Sequence, residues 1–216
     1  MNRKSASNNR ISIIVNLLIG FFSFAAWLFM AVLKFKNGHL AANGFASLRY
    51  YTVLSNLMNG FVSLVYSITQ IRGKAVSLRL QTAKLASAAA VTLTFLTVMC
   101  MLGPLYGYHS MFLGANLWMH LILPVLTVID VLFLAKKVTV PGKRLIAAAL
   151  PTLLYEIGYV LNMLINGVGR YPKSNDFYGF LNWGYGAAAL IAAVMLLLTY
   201  VICRILWRLG GYRPSL

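Results

Sequence analysis

A threonine, a histidine and two carboxylates stand where a chain this apolar has little room for them. His120, Asp130 and Glu156 are ionisable residues inside long apolar runs. A charge in hydrocarbon is costly enough that such residues read as functional by default. Thr52 opens a polar series, with Ser55, Asn56 and Asn59 following at i+3, i+4 and i+7, the spacing that shares one helix face. A hydroxyl beside an imidazole makes a nucleophile–base pair, the histidine taking the proton as the oxygen attacks an acyl carbon. Asn56 and Asn116 are amides able to donate to a developing oxyanion. Glu156 or Asn162 would hold the imidazole in one tautomer. The same residues have another use, because Thr, Ser, Asn and His side chains also hydrogen-bond between membrane helices. The Thr52 face therefore reads either as helix–helix contact or as a pocket wall.

The elements that must position these groups follow from composition. The chain has 216 residues, of which 60% are hydrophobic and 10% charged, against about 25% charged in an ordinary soluble domain. A soluble globule cannot hide that much apolar surface, and disordered chains have the opposite composition. Six apolar runs are long enough to cross a bilayer, which takes about 20 residues: 11–33, 49–71, 85–104, 116–135, 145–165 and 179–207. No period-two alternation marks a barrel, so the spans are expected to be helices that satisfy their own backbone. The first run exceeds the apolar core of a signal peptide and is expected to be retained. No linker interrupts residues 1–216. The expectation is an all-α membrane protein, a single six-transmembrane-helix bundle.

Nineteen Lys and Arg face three Asp and Glu, a net charge of +16. Sorted by loop with the N-terminus inside, fourteen basic residues, Lys84 among them, fall on the inner side and five on the outer. That bias predicts cytoplasmic N- and C-termini in a multi-pass protein of the plasma (cytoplasmic) membrane. The inner charges then meet anionic lipid headgroups. Nucleic acid is not an expected partner, since no groove-reading element accompanies the charge. At 1.5 Å per residue, Thr52 lies about 5 Å and His120 about 6 Å below the outer face. Glu156 falls near mid-membrane, and Asn162 near the depth of His120. Asp130 is about 15 Å deeper than His120, within reach of a basic residue of the inner rim, and a structural role is expected for it. Cys100 and Cys203 read as packing residues. His39, His109, His120 and Asp176 show no ligand spacing, and a haem would need two facing histidines inside the bundle. No metal or cofactor is expected.

Two runs carry a resemblance. Arg49-Tyr-Tyr-Thr52-Val-Leu-Ser55-Asn56-Leu and Asn116-Leu-Trp-Met-His120-Leu-Ile-Leu-Pro124 resemble the second and fourth spans of bacterial six-helix membrane proteins of the Pr6Pr type. They are also similar to the eukaryotic androgen-induced and androgen-dependent (TFPI-regulating) membrane hydrolases. The Tyr171-Pro172 pair before the last span is similar too. The chain departs from the eukaryotic pattern in having one residue fewer between His120 and Pro124, and Lys173 after the Tyr-Pro pair. The resemblance implies that Thr52 and His120 form the catalytic pair of a membrane lipid-ester hydrolase. It implies a fatty-acyl ester substrate, of the class of fatty acid esters of hydroxy fatty acids. The alternative is a non-enzymatic membrane protein that binds or transports a lipid or small solute through a polar pocket lined by Ser55, Asn56, Asn116, Glu156 and Asn162.

Overall fold

A computed structural model describes residues 3–32, 44–170 and 174–212. Lys34, Lys36, His39, Tyr171, Pro172, Lys173 and Arg213 lie outside the described residues. Among the described residues, six long helices follow one another: α1 (Arg3–Val32), α2 (Tyr51–Ile71), α3 (Leu78–Tyr106), α4 (Ala115–Leu134), α5 (Gly142–Asn166) and α6 (Phe180–Leu209). No strand occurs among the described residues. Five of the six, all but α2, contain stretches long and apolar enough to cross a membrane, which makes this a multi-pass membrane-embedded protein. α2 has 21 residues, but Ser55, Asn56, Asn59, Ser63 and Ser67 interrupt its apolar character, and all five are buried. Its polar face is turned into the protein.

α1 shows how the bundle sorts its surfaces. Ser12, Asn16, Ile19, Ser23 and Ala26 are buried, at the three- and four-residue steps that make one stripe. Ile14, Leu17, Phe21, Phe24 and Leu28 are exposed on the other faces, where a lipid tail is as good a neighbour as another helix. α1 and α2 run antiparallel and close together. Ser67 Oγ donates to the Ile13 carbonyl at 3.3 Å. A Cβ added at Gly60 would sit 2.6 Å from Ser23 Cβ, and one at Gly20 would overlap Leu64. Small residues at both crossing points let the backbones approach.

α3 forms the centre. Seven consecutive residues, Leu85 to Val91, are buried, and the alanines among them admit neighbours on every side. This helix starts seven residues before the run expected from the sequence. Ser77 caps it, its hydroxyl accepting the Leu80 N–H at 3.2 Å, as cap residues do for an orphan donor. Lys84, counted from the sequence as an inner-loop charge, is therefore inside the helix and wholly buried. It remains there because it is ion-paired: its Nζ lies 3.1 Å from Asp130 Oδ2 on α4. Asp130 also accepts from Ser12 Oγ at 2.6 Å and Asn16 Nδ2 at 2.8 Å. Lys84 donates to Asn16 Oδ1 and to Ser63 Oγ, the latter at 3.2 Å. Asn59 Nδ2 donates to Thr127 Oγ1 at 2.7 Å, and Ser87 Oγ to Asn59 Oδ1 at 3.2 Å. Four helices are tied together by these bonds. α5 and α6 join through a hydroxyl chain, Tyr51–Thr152–Thr199, with oxygen separations of 2.8 and 3.0 Å.

Among the described residues, three helical turns are widened to i→i+5 pairing: Val98–Leu102 in α3, and Trp118–Ile122 and Asp130–Leu134 in α4. Such turns hold one extra residue and rotate the side chains that follow. The second contains His120, and the third begins at Asp130.

Candidate active site

A cavity of about 80 Å³ opens where α2 begins. Its walls are Tyr50, Thr52 and Val53 from the entry to α2, and Asn116, Met119 and His120 from α4. Leu102 and Tyr106 come from the end of α3, Met30 from α1, and Phe177 and Tyr178 from the segment before α6. Thr52 and His120, 68 positions apart in the sequence, thus line one space.

Thr52 is placed by the way the chain enters α2. Tyr50 is extended, and the hydroxyl of Tyr178 accepts the Tyr51 N–H at 2.9 Å, satisfying one of the donors a helix start leaves open. Burial pushes the Tyr178 hydroxyl up to about 12, so it stays neutral. Tyr155 Oη donates to the Arg49 carbonyl at 2.7 Å, and Asn56 fastens the other side. Its amide donates to the Thr52 carbonyl at 2.8 Å and to the Met119 carbonyl at 3.0 Å. One side chain thereby joins the turn carrying Thr52 to the residue before His120. Ser55 Oγ donates to the Thr52 carbonyl at 3.1 Å and lies 3.2 Å from Thr94 Oγ1.

His120 is buried, and its Nδ1 lies 2.7 Å from the carbonyl oxygen of Met111. A carbonyl only accepts, so in the neutral ring Nδ1 carries the hydrogen and Nε2 keeps its lone pair. Met111 ends a short helical turn, Tyr108–Met111, ahead of α4, and its side chain is buried. The imidazole is therefore held in the tautomer of a general base by a backbone group.

Of the remaining residues singled out from the sequence, Asn116 lines the cavity with Thr52 and His120. Ser55 and Asn56 are bonded as above, and both amide hydrogens of Asn56 are committed to carbonyls. Glu156 and Asn162 are not among the lining residues. Asn162 Oδ1 accepts from Asn166 Nδ2 at 2.9 Å. Glu156 is half-buried on α5, its Oε1 without a hydrogen bond. Asp176 caps α6, accepting the N–H groups of Phe180 and Leu181 at 3.0 and 2.9 Å and the hydroxyl of Tyr159. No three His, Cys, Asp or Glu among the described residues are grouped to hold a metal. Sequence reasoning did not reach Met111, whose contribution is a carbonyl every residue possesses, nor Tyr50 and Tyr178 as cavity walls.

No protein-family model matches this chain, and no curated protein or solved structure matches it.

Proposed function

We infer that the protein is an integral membrane lipid-ester hydrolase in which Thr52 is the nucleophile and His120 the base. The observation that carries this reading is the His120 Nδ1 bond to the Met111 carbonyl in a cavity shared with Thr52. Thr52 Oγ1 attacks the ester carbonyl and its proton passes to His120 Nε2. The imidazolium then protonates the leaving alkoxide. Water, deprotonated by the same nitrogen, attacks the acyl-threonine, and the imidazolium returns the proton to Thr52 Oγ1 as the acid leaves. Asn116 donates to the oxyanion, since the amide of Asn56 is fully engaged. The cavity has room for roughly half a dozen water-sized groups, at about 10–15 Å³ each. The ester group enters, and the acyl chain remains among lipid tails.

In this reading α2 is the sixth span. Its 21 residues reach about 32 Å, enough for the hydrocarbon layer, with the polar face inward. Both termini are cytoplasmic in the plasma membrane. Removing Lys84 from the loop tally leaves thirteen basic residues inside against five outside, still the same orientation. The inner charges contact anionic lipid headgroups. The chain is read as a Pr6Pr-type relative of the androgen-induced hydrolases, acting on fatty acid esters of hydroxy fatty acids.

The test is a panel of lipid esters, including those of hydroxy fatty acids, with purified wild-type, Thr52→Ala and His120→Ala proteins. Hydrolysis and fluorophosphonate labelling that both disappear in the two variants, with unchanged melting, support the reading. A Thr52→Ala protein that hydrolyses every active ester at the wild-type rate refutes it. Stabilisation by a lipid without turnover would favour the binding protein instead.

A further inference from the structure

Arg49 stands at the mouth of the cavity with an exposed side chain. Its guanidinium carbon lies 5.1 Å from the centroid of the Tyr50 ring and 5.0 Å from that of Phe177, and both rings are cavity walls. One Nη2–H donates to the Tyr50 hydroxyl at 3.0 Å, which leaves four of five guanidinium donors. No carboxylate is ion-paired with this guanidinium among the described residues. Among the described residues the one Lys or Arg ion pair is Lys84–Asp130, and Asp130 is about 15 Å along α4 from His120. Asp176, the carboxylate of the Phe177 segment, is occupied by the start of α6 and by Tyr159. The Arg49 backbone is fixed separately, through its carbonyl, by Tyr155.

A guanidinium held against two rings is already ordered, and its planar edge matches a carboxylate or phosphate with two parallel bonds. The small cavity behind it takes the polar part of a ligand, so an anionic group on that part comes within reach of this edge. We propose that Arg49 is the anion anchor of the cavity. It holds a carboxylate or phosphate of the acyl amphiphile whose ester meets Thr52 and His120, and selects charged over neutral substrates. This rests on the cavity being the substrate site.

Binding measured without turnover tests it. Thr52→Ala protein in neutral dodecyl maltoside is titrated with oleate, 1-oleoyl-lysophosphatidate and methyl oleate, reading thermal unfolding by tryptophan fluorescence. Oleate or the lysophosphatidate is expected to stabilise the protein, and whichever binds more tightly tells carboxylate from phosphate. Adding Arg49→Gln should weaken that affinity at least tenfold and leave methyl oleate unchanged, while Arg49→Lys recovers part of it. Filling the cavity with Asn116→Trp should abolish it. Equal affinity in Arg49→Gln overturns the proposal. So does Arg49-dependent binding that survives Asn116→Trp, which would assign Arg49 to the surrounding headgroups. Arg49-dependent binding in a protein that hydrolyses no ester would keep the anchor and remove the hydrolase. Hydrolysis without Arg49-dependent binding of either anion would do the reverse.

Discussion

Replacing Lys84 by methionine should destabilise the protein by about 3–5 kcal/mol, the usual loss when one partner of a buried pair is removed. At 3.1 Å the attraction between Lys84 and Asp130 is about 5 kcal/mol at an effective dielectric of about 20. Against it stands a desolvation cost of several kcal/mol per ion. The intact pair therefore contributes little net stability, whereas a lone carboxylate at 0% exposure retains its own cost. Ser12 and Asn16 donate to that carboxylate but bring no charge. The Lys84 ammonium also lies 5.4 Å from the Tyr66 ring centroid, a smaller attraction of about 2 kcal/mol at most. Asp130→Asn should cost a similar amount by leaving the ammonium unpaired. The double variant Lys84→Met/Asp130→Asn should return to within about 2 kcal/mol of wild type, because an amide still bonds Ser12 and Asn16 and no charge remains. Unfolding in mixed micelles with increasing dodecyl sulfate, followed by circular dichroism, measures all four proteins in one cycle. Single variants within about 1 kcal/mol of wild type, or a double variant as unstable as the sum of the singles, would refute the reasoning.

Asn116→Leu should leave melting nearly unchanged and lower kcat on active esters by about 10²–10³, the usual loss of one oxyanion donor; an unaltered kcat would assign the oxyanion to another group. Lys137 follows α4 and donates to the carbonyls of Val131 and Leu132, where burial lowers its amine from 10.5 to about 8. Between pH 8 and 10.5 the unfolded chain holds a proton that the folded chain has released, so this residue makes stability rise with pH across that window. Wild type should therefore gain on Lys137→Met between pH 7.5 and 9.5 in parallel melts, and a constant difference would show that the amine titrates normally.

Lys84 marks the line between what was legible in the sequence and what was not. Apolar runs give the helices, because a span must be long and uncharged, and the periodicity of Thr52, Ser55, Asn56 and Asn59 gives the inward face of α2. The same rule misplaces Lys84: a lysine reads as a loop residue until its partner is known, and Asp130 is 46 positions away. Asp130 was expected to meet a basic residue, and it does, but on α3 within the bundle. The shared depth of Thr52 and His120 followed from helical rise alone, and both residues line one cavity. What orients the imidazole did not follow. The expected partners were side chains, Glu156 and Asn162, whereas the observed one is a main-chain oxygen, which has no residue signature. The two donors of Asn56 were likewise invisible, since a sequence records an amide and not the carbonyls that occupy it.

The widened turns bear differently on depth and on orientation. Each adds one residue to a turn, which changes height by only about 1.5 Å but rotates everything beyond it by about 100°. A depth estimate survives that error, while an estimate of which face a residue occupies does not. α4 carries two such turns, one around His120 and one from Asp130, and both residues point inward and are buried. In an unbroken helix, residues ten apart differ by nearly three turns, about 1000°, which leaves them roughly 80° off a common face. A widened turn spreads one extra residue over the same rotation, so the Trp118–Ile122 turn sets the residues beyond it back by up to about 100° and carries Asp130 further from that common face. α4 thus aims its imidazole into the cavity and its carboxylate at Lys84 through turns that regular pitch does not describe.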